Sequence, residues 1–166
     1  RTQSGTTALV SAFLLASWLH VATGIADLVT RGTPFEALLV PFRNGGYALL
    51  DHTASGFIRI RGIVAEASTY AGIGIALFLV NVELWYRSIR TRATGLAALV
   101  LALILIFSTA STAYVALGAY ALFFVFRGVL FPTVIPKGKF MRAAIALFSM
   151  LFVLSVLMAV IPSLPL

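Results

Sequence analysis

Residues Ala8–Val29 read ALVSAFLLASWLHVATGIADLV and carry only His20 and Asp27 as ionisable groups. A helix needs about 20 predominantly apolar residues to cross a bilayer, and this stretch has that length. The rest of the chain fits a membrane, since 61% of its 166 residues are hydrophobic and 10% are charged. Soluble domains average about 25% charged residues. The composition therefore excludes a soluble enzyme and a disordered chain, and predicts a membrane protein.

Three further apolar regions predict an all-α, polytopic transmembrane helical bundle. The second span closes with Trp85-Tyr86 followed by arginines, an arrangement typical of a water interface. Gly95–Leu130 is too long for one span, because it would make about 54 Å of helix against about 30 Å of hydrocarbon. A break is predicted at the Ser/Thr run 108–112, where hydroxyls satisfy backbone groups freed at a turn. The five predicted spans are Ala8–Val29, Ala65–Tyr86, Gly95–Phe107, Ala113–Leu130 and Ala143–Ile161.

The cations predict the orientation of these spans. Twelve Lys and Arg against five Asp and Glu give a net charge of +7, which in a membrane protein is not a sign of nucleic-acid binding. If the loop 87–92 is cytoplasmic, the inside cations are Arg1, Arg87, Arg90, Arg92, Arg127, Lys137, Lys139 and Arg142, and the outside ones are Arg31, Arg43, Arg59 and Arg61. Eight against four obeys the positive-inside rule. Residues 1–166 are expected to form one transmembrane domain of a longer protein, with residues 30–64 outside.

The external loop 30–64 is the one connection long enough to hold a site. Loops beyond about 12–15 residues are usually functional or disordered. Its apolar segments 35–42 and 47–50 favour a loop that rests on the membrane surface or caps the helix bundle. Its four arginines lie on the side where arginine is disfavoured. They hold a ligand there, or they contact lipid headgroups or pair with Glu36, Asp51 and Glu66.

Arg59 and Arg61 are the strongest candidates for a ligand site. In an extended segment alternate side chains point the same way, so the two guanidinium groups would face one side about 6.6 Å apart. Arginine is permanently charged and donates two parallel hydrogen bonds, which suits phosphate or pyrophosphate. Gly62 allows the backbone to bend before the next helix, whose N-terminus also favours an anion.

The other titratable residues each have two interpretations. Glu66 complements the dipole of the second predicted helix, or it acts chemically. His52 is a base near neutral pH with Asp51 or Glu66 beside it, or a loop histidine in water. His20 and Asp27 share one helix face and form a proton relay, or Asp27 reaches water and His20 bonds a neighbouring helix. We expect both to lie away from the arginine pair. Two histidines without Cys form no metal-ligand spacing, so neither a metal nor a cofactor is expected.

Residues 59–70, RIRGIVAEASTY, resemble the junction between external loop and helix in the O-antigen polymerase and O-antigen ligase family. Members often read Arg, two residues, Gly, three residues, then Glu-Pro-Ser or Glu-Pro-Asn. Here Arg59 precedes Gly62 by three positions and Glu66 follows it by four, with Ala67 in place of the proline.

Two further features carry the resemblance. Arg61 and Gly72 match an Arg-x10-Gly pattern of the polymerases, and the run 108–112 is similar to the Ser/Thr-rich junction of the family, without its common Ser-Arg pair. The matches cover about residues 57–131. A full member has ten or more spans and a second long external loop, so the resemblance implies that this chain is a fragment.

The resemblance implies a GT-C-like membrane glycosyltransferase that transfers or polymerises an undecaprenyl-pyrophosphate-linked glycan, as in lipopolysaccharide synthesis, at the outer face of the bacterial cytoplasmic membrane. Transfer would be metal-independent and would invert the anomeric carbon. The implied partners are the lipid-linked oligosaccharide, membrane lipids, and remaining helices of the same chain or of other membrane subunits. The implied catalytic residues are Arg59, Arg61, His52 and Glu66, with His52 preferred over Glu66 as the base. The implied substrate-binding residues are Arg43, Asp51, Ser68 and Tyr70.

Two other interpretations remain open. The chain could be a non-enzymatic multispanning subunit of a membrane complex, whose arginines grip anionic lipid. It could also be a transporter fragment that uses His20 and Asp27 for ion coupling. A long reading frame with a second arginine-rich external loop favours the glycosyltransferase, whereas a start and a stop close to the ends of this chain favour the subunit.

Overall fold

The computed structural model describes residues 2–43, 53–54, 57–108, 110–130 and 137–160. Five α-helices account for most of them: α1 Thr2–Thr30, α2 Ala67–Tyr86, α3 Thr91–Phe107, α4 Ser111–Leu130 and α5 Lys137–Val160. Two short 3₁₀ helices, Pro34–Leu38 and Val40–Phe42, follow α1. Thr53–Ala54 pairs antiparallel with Phe57–Ile58 over two residues each. The predicted helical class is confirmed for the described part of the chain.

Three of the described helical segments are long and apolar enough to cross a membrane. They are Gly5–Thr30, Ala67–Tyr86 and Ser111–Leu130, and they coincide with predicted spans. α3 is equally apolar but has 17 residues. The predicted span Ala143–Ile161 falls largely within α5, which begins six residues earlier than expected. The described residues therefore form a multi-pass membrane protein by length and composition.

The predicted break between the third and fourth spans is confirmed, since α3 ends and α4 begins around the Ser/Thr run 108–112. Ser108 Oγ donates a hydrogen bond to the carbonyl of Leu105 at 2.7 Å. Tyr114 Oη donates to the carbonyl of Ile106 at 2.9 Å. Hydroxyl groups thus satisfy carbonyls at the end of α3, which lets the backbone turn in apolar surroundings.

Within the compact unit Arg1–Gly118, α2 packs against α3, and α1 packs against both. Small residues allow this close approach: a Cβ atom on Gly74 would lie 2.7 Å from His20 Nε2. A buried polar contact also joins α1 and α2, where Asn81 Nδ2 donates to Ser17 Oγ at 2.7 Å. These contacts fix the register of α1 against α2, and so determine what lies beside the loop end of α1.

The second compact unit, Ala119–Leu166, holds the end of α4 and α5. The rings of Phe124 and Phe140 stack there with centroids 5.1 Å apart. The Phe140 ring fills the space beside Gly128, so this turn of α4 requires a glycine. The single domain predicted over residues 1–166 stays a prediction.

Candidate functional site

Asp27, one turn before the end of α1, is the centre of a buried polar network. Its side chain is 0% exposed. Oδ2 accepts hydrogen bonds from Arg31 Nη2 at 2.9 Å, from the Arg61 backbone N–H at 2.7 Å and from the Gly62 N–H at 3.2 Å. Oδ1 accepts from Arg43 Nη2. One carboxylate of the first candidate span therefore holds both the part of the loop that follows α1 and the part that leads into α2.

Arg43 is held on three sides and is itself buried. Besides its contact with Asp27, Arg43 Nε donates to the Gly62 carbonyl at 3.1 Å, and Nη1 lies 3.4 Å from Glu36 Oε1. Arg43 therefore links the 3₁₀ helices to the segment that leads into α2. Its observed contacts are internal, so they make it a positioning residue, and its predicted contact with substrate stays a prediction.

Glu36 completes this side of the network. Its Oε2 accepts a hydrogen bond from the Gly32 backbone N–H at 3.1 Å. That hydrogen bond, and then the positive charges of Arg43 and Arg31, hold the pKa of Glu36 below its ordinary value. Glu36 is therefore ionised at neutral pH and balances one of the arginines, as the ion-pair interpretation of the sequence expected.

The predicted pair Arg59 and Arg61 lies against this network. Arg61 is 6% exposed, and its neighbour Ile60 is also buried. Burial, and then the charge of Arg43, lower the pKa of Arg61. The Arg59 carbonyl accepts a hydrogen bond from Arg31 Nη2 at 2.7 Å. The backbone of the pair is thus anchored, and the side chains are packed against the protein.

Several guanidinium nitrogens of these arginines donate no hydrogen bond within the described part of the chain. Among the described residues, the buried atoms without a hydrogen-bond partner include Arg31 Nε and Nη1, Arg59 Nε and Arg61 Nε. We call Arg31, Arg43, Arg59 and Arg61 with Asp27 and Glu36 the arginine network. Four cations against two carboxylates leave a surplus of two positive charges. Asp27, Arg43 and Arg61 are buried and the other three are partly buried. Charges removed from water are costly unless paired, so this surplus favours an anion.

Glu66 and Ser68 lie at the start of α2. Glu66 is the residue that caps α2, but its side chain makes no hydrogen bond to the helix backbone. Instead its exposed carboxylate accepts from Ser68 Oγ, with Oε2 and Oγ 3.0 Å apart. A direct cap is therefore not formed, and the Glu66 carboxylate is open to solvent.

Tyr70 is buried between α1 and the loop. Its ring stacks on His20 with centroids 3.9 Å apart, and its hydroxyl donates to the His20 carbonyl at 2.8 Å. A Cβ atom on Gly62 would lie 2.7 Å from Tyr70 Cε2, so the tyrosine and the bend are in direct contact. These contacts position the Arg61-Gly62 backbone, and the predicted role of Tyr70 in binding substrate stays a prediction.

The expectation that Asp27 lies away from the arginine pair is wrong. Asp27 contacts the Arg61 backbone directly, and it is buried rather than open to water. The reason is that the chain returns to α1 after more than thirty residues. Over so long a separation, spacing in the sequence does not indicate which residues are close in space. His20 is buried as well, with Nε2 unpartnered among the described residues.

Two predicted site residues, Asp51 and His52, lie outside the described residues. Within the described part of the chain, no group of three or more His, Cys, Asp or Glu side chains is placed to hold a metal ion. Comparison with protein-family models, curated proteins and solved structures finds no match to this chain.

Proposed function

We propose that this chain belongs to a membrane glycosyltransferase that transfers or polymerises a glycan carried on undecaprenyl pyrophosphate, as the resemblance to O-antigen polymerases and ligases implies. The arginine network would bind the diphosphate of the donor. One observation carries this proposal: a partly buried cluster with two surplus positive charges and unpartnered guanidinium nitrogens lies at the end of a candidate membrane span. A lipid-linked diphosphate places its negative charge at that level, where hydrocarbon meets water.

The network divides into holding and binding groups. Arg31 and Arg43 are paired with Asp27, and Arg43 also with Glu36, so carboxylates account for these two arginines. Among the described residues, Arg59 and Arg61 form no ion pair with either acid, and they supply the surplus. The proposal therefore rests on Arg59 and Arg61, with Asp27, Arg43 and Tyr70 as positioning residues.

The proposed reaction is a single displacement at the anomeric carbon. The bond from that carbon to the diphosphate oxygen breaks while the bond to the acceptor oxygen forms on the opposite face, so configuration inverts. The acceptor proton passes to a base, His52 or the exposed Glu66. Fixed guanidinium groups stabilise the leaving diphosphate where its charge grows, which is where preorganised donors lower a barrier most. Ser68, bonded to Glu66, would contact the acceptor, and Asp51 the glycan.

The proposed topology has five spans, with residues 30–64 at the outer face of the bacterial cytoplasmic membrane and a GT-C-like arrangement in the complete protein. α3 is included as a span because its 17 residues, most of them apolar, make about 25 Å of helix. A short helix crosses when the bilayer thins locally or its flanking cations extend toward the headgroups. Thr91 begins α3 within the arginine-rich segment 87–92.

The two other interpretations account for fewer of the contacts. Asp27 already accepts four hydrogen bonds, three at Oδ2 and one at Oδ1, so its carboxylate is engaged by protein donors rather than placed to coordinate a transported ion. A non-enzymatic subunit explains Arg31 and Arg43 through their ion pairs. It does not explain why Arg61 is buried with an unpartnered Nε among the described residues.

Lysine and alanine substitutions at Arg59 and Arg61 test the proposal in the intact protein in membranes. Lysine keeps the charge but loses the two parallel donors. Because the Arg61 contact with Asp27 uses backbone N–H, both Arg61 variants retain that anchor. We expect glycan transfer from lipid-linked donor to fall about 100- to 1,000-fold, the usual cost of one lost charge-stabilising donor.

Arg87→Lys is the matched control, since Arg87 is 68% exposed and pairs with Glu83 within α2 and its cap. It should retain transfer within a few-fold, because lysine keeps the positive charge and Arg87 lies outside the arginine network. Protein amount in the membrane is measured for every variant. If all four variants at Arg59 and Arg61 keep transfer within a few-fold of the parent at normal protein level, the diphosphate site is rejected in favour of lipid contact.

A further inference from the structure

The segment Pro34–Phe42 presents an apolar surface outside the helix bundle. Phe35, Leu38, Val40 and Phe42 are between 59% and 66% exposed. With three residues per turn of 3₁₀ helix, Glu36 and Leu39 share one edge, and both are half-buried. Phe35 and Leu38 share a second edge, which is exposed. Over these two turns the edge with Glu36 and Leu39 lies toward the protein, and the edge with Phe35 and Leu38 lies away from it.

The contacts of Glu36 hold the segment beside the end of α1. Glu36 lies within hydrogen-bond distance of Arg43, and Arg43 is ion-paired with Asp27, one turn before α1 ends. The segment thus returns to the level of the last turn of a candidate membrane span. In those turns Ile25, Leu28 and Val29 are exposed apolar side chains, so both α1 and the segment expose apolar side chains near the end of the span.

The backbone of the segment is suited to a place with little water. The N–H groups of Glu36, Leu39 and Phe42 each donate to the carbonyl three residues earlier, at 3.0–3.2 Å. Pro34 and Pro41 have no N–H group to leave unpaired. A peptide can enter the boundary between headgroups and acyl chains when its backbone groups are satisfied internally.

We propose that Pro34–Phe42 inserts into the lipid leaflet at the Thr30 end of α1, with Phe35, Leu38, Val40 and Phe42 among the upper acyl-chain carbons. It thereby anchors the arginine network at the membrane surface through Glu36 and Arg43. The partner is bulk phospholipid, and the proposal does not depend on glycan transfer.

Single cysteines test the insertion, because the chain has none of its own. Phe35→Cys, Leu38→Cys and Val40→Cys are each labelled with the fluorophore NBD in the full chain, which is reconstituted into vesicles of phosphatidylcholine and phosphatidylglycerol. Thr33→Cys is the matched control, since it is exposed and polar at the start of the same segment. Unfolding midpoints of the labelled and parent proteins show that each variant is folded, and three separate positions guard against a local failure.

We expect blue-shifted emission at the three apolar positions relative to Thr33, strong quenching by lipids with a nitroxide near the headgroup, and weak quenching by iodide. Iodide quenching equal to that at Thr33 overturns the proposal, because the segment is then in water. A blue shift without quenching by nitroxide lipid also overturns it. In that case loss of the shift when protein is diluted in lipid identifies a second copy, and a shift independent of dilution identifies burial within the chain.

Discussion

Within the arginine network, we expect substitution of Asp27 to lower the free energy of unfolding the most. Asp27→Asn keeps the size of the side chain but removes the charge that compensates Arg31 and Arg43. It also turns an amide N–H₂ group toward donors. Breaking a buried ion pair from one side costs about 3–5 kcal/mol, because the remaining charge is left uncompensated. We expect a loss of this size in the free energy of unfolding, measured by denaturant titration of the protein in detergent.

Glu83→Gln is the control for Asp27→Asn. Glu83 pairs with Arg87 at 2.8 Å across one helical turn, but the two side chains are 38% and 68% exposed. Such pairs contribute about 0.3–0.5 kcal/mol. Equal, small effects of the two substitutions would mean that Asp27 is not the buried centre that its contacts indicate.

Alanine substitutions at glycines distinguish the effect of backbone strain from that of steric crowding. Gly32 and Gly62 have φ of +71° and +59°, which alanine adopts at a cost of about 1–2 kcal/mol. A Cβ on Gly32 meets nothing within 4 Å, whereas one on Gly62 also meets the Tyr70 ring. Gly74 is crowded by His20 in an ordinary helix, and Gly72 is neither strained nor crowded.

The expected order of stability for the alanine variants follows from these two terms. Gly72→Ala is the most stable and exceeds the parent by up to about 1 kcal/mol, since glycine weakens a helix interior. Gly32→Ala is less stable than the parent by the strain alone, and Gly62→Ala is the least stable of the three. Thermal unfolding in detergent measures the order, and a Gly62→Ala midpoint at or above that of Gly32→Ala would contradict the crowding by Tyr70.

Sequence alone identified part of this site. Arg59, Arg61 and Gly62 could be singled out because charge, alternation and a bend lie within four residues of one another. Asp27 could not be joined to them, since its partners are 34 and 35 positions away and hydrogen-bond through backbone atoms. The available signal was an acidic residue near the end of an apolar stretch, followed by arginines whose positive charges required a negatively charged partner.

At the scale of elements, hydropathy predicted most helices because a bilayer leaves the backbone few alternatives. The break before α4 was predictable from the Ser/Thr run 108–112, of which Ser108 bonds a carbonyl of α3. Tyr114, outside that run, bonds a second one. The 3₁₀ helices after α1 were not predicted. Their periodicity of three is indistinguishable from irregular loop over nine residues, and their position depends on the distant contact between Arg43 and Asp27.

The contacts that hold the 3₁₀ helices against the protein should weaken at low pH. The pKa of Glu36 is depressed from 4.5, first by the hydrogen bond from Gly32 and then by Arg43 and Arg31. Its stabilising contribution is therefore complete above pH 4.5 and is lost as pH falls through the lower folded pKa. Because the carboxylate is 31% exposed, solvent screening limits the contribution to at most about 1 kcal/mol.

Glu36→Gln isolates this effect, since other acids titrate equally in both proteins. The parent should unfold at a higher temperature than the variant at pH 7, and the two midpoints should converge as pH falls below 4.5. Thermal unfolding of the two proteins in detergent at several pH values provides the comparison. A difference that stays constant or grows on acidification would show that ionised Glu36 does not hold the segment.

At the scale of the whole molecule, charge placement and helix length predict the path across the membrane. We expect the chain to be outside after α1, inside after α2, and outside again at the break between α3 and α4. On this path α5, which starts at Lys137, begins inside. This path requires the 17-residue α3 to cross, whereas three longer helices cross by length and composition without it. If α3 stayed on the inner surface, α4 would carry the chain to the outer face, and α5 would begin there.

Three single cysteines distinguish these paths: Thr33→Cys, Ala93→Cys and Gly138→Cys, all at exposed positions. With five spans, a membrane-impermeant maleimide added to intact spheroplasts should label Thr33→Cys, while Ala93→Cys and Gly138→Cys react after permeabilisation. The positive-inside rule supports the same result, because it holds Arg87–Arg92 and Lys137–Arg142 on one side. Labelling of Gly138→Cys in intact spheroplasts, with Ala93→Cys still protected, would mean that α3 does not cross. Labelling of Ala93→Cys with Thr33→Cys protected would invert the protein and move the arginine network to the cytoplasmic face, where it could not meet a donor in the outer leaflet.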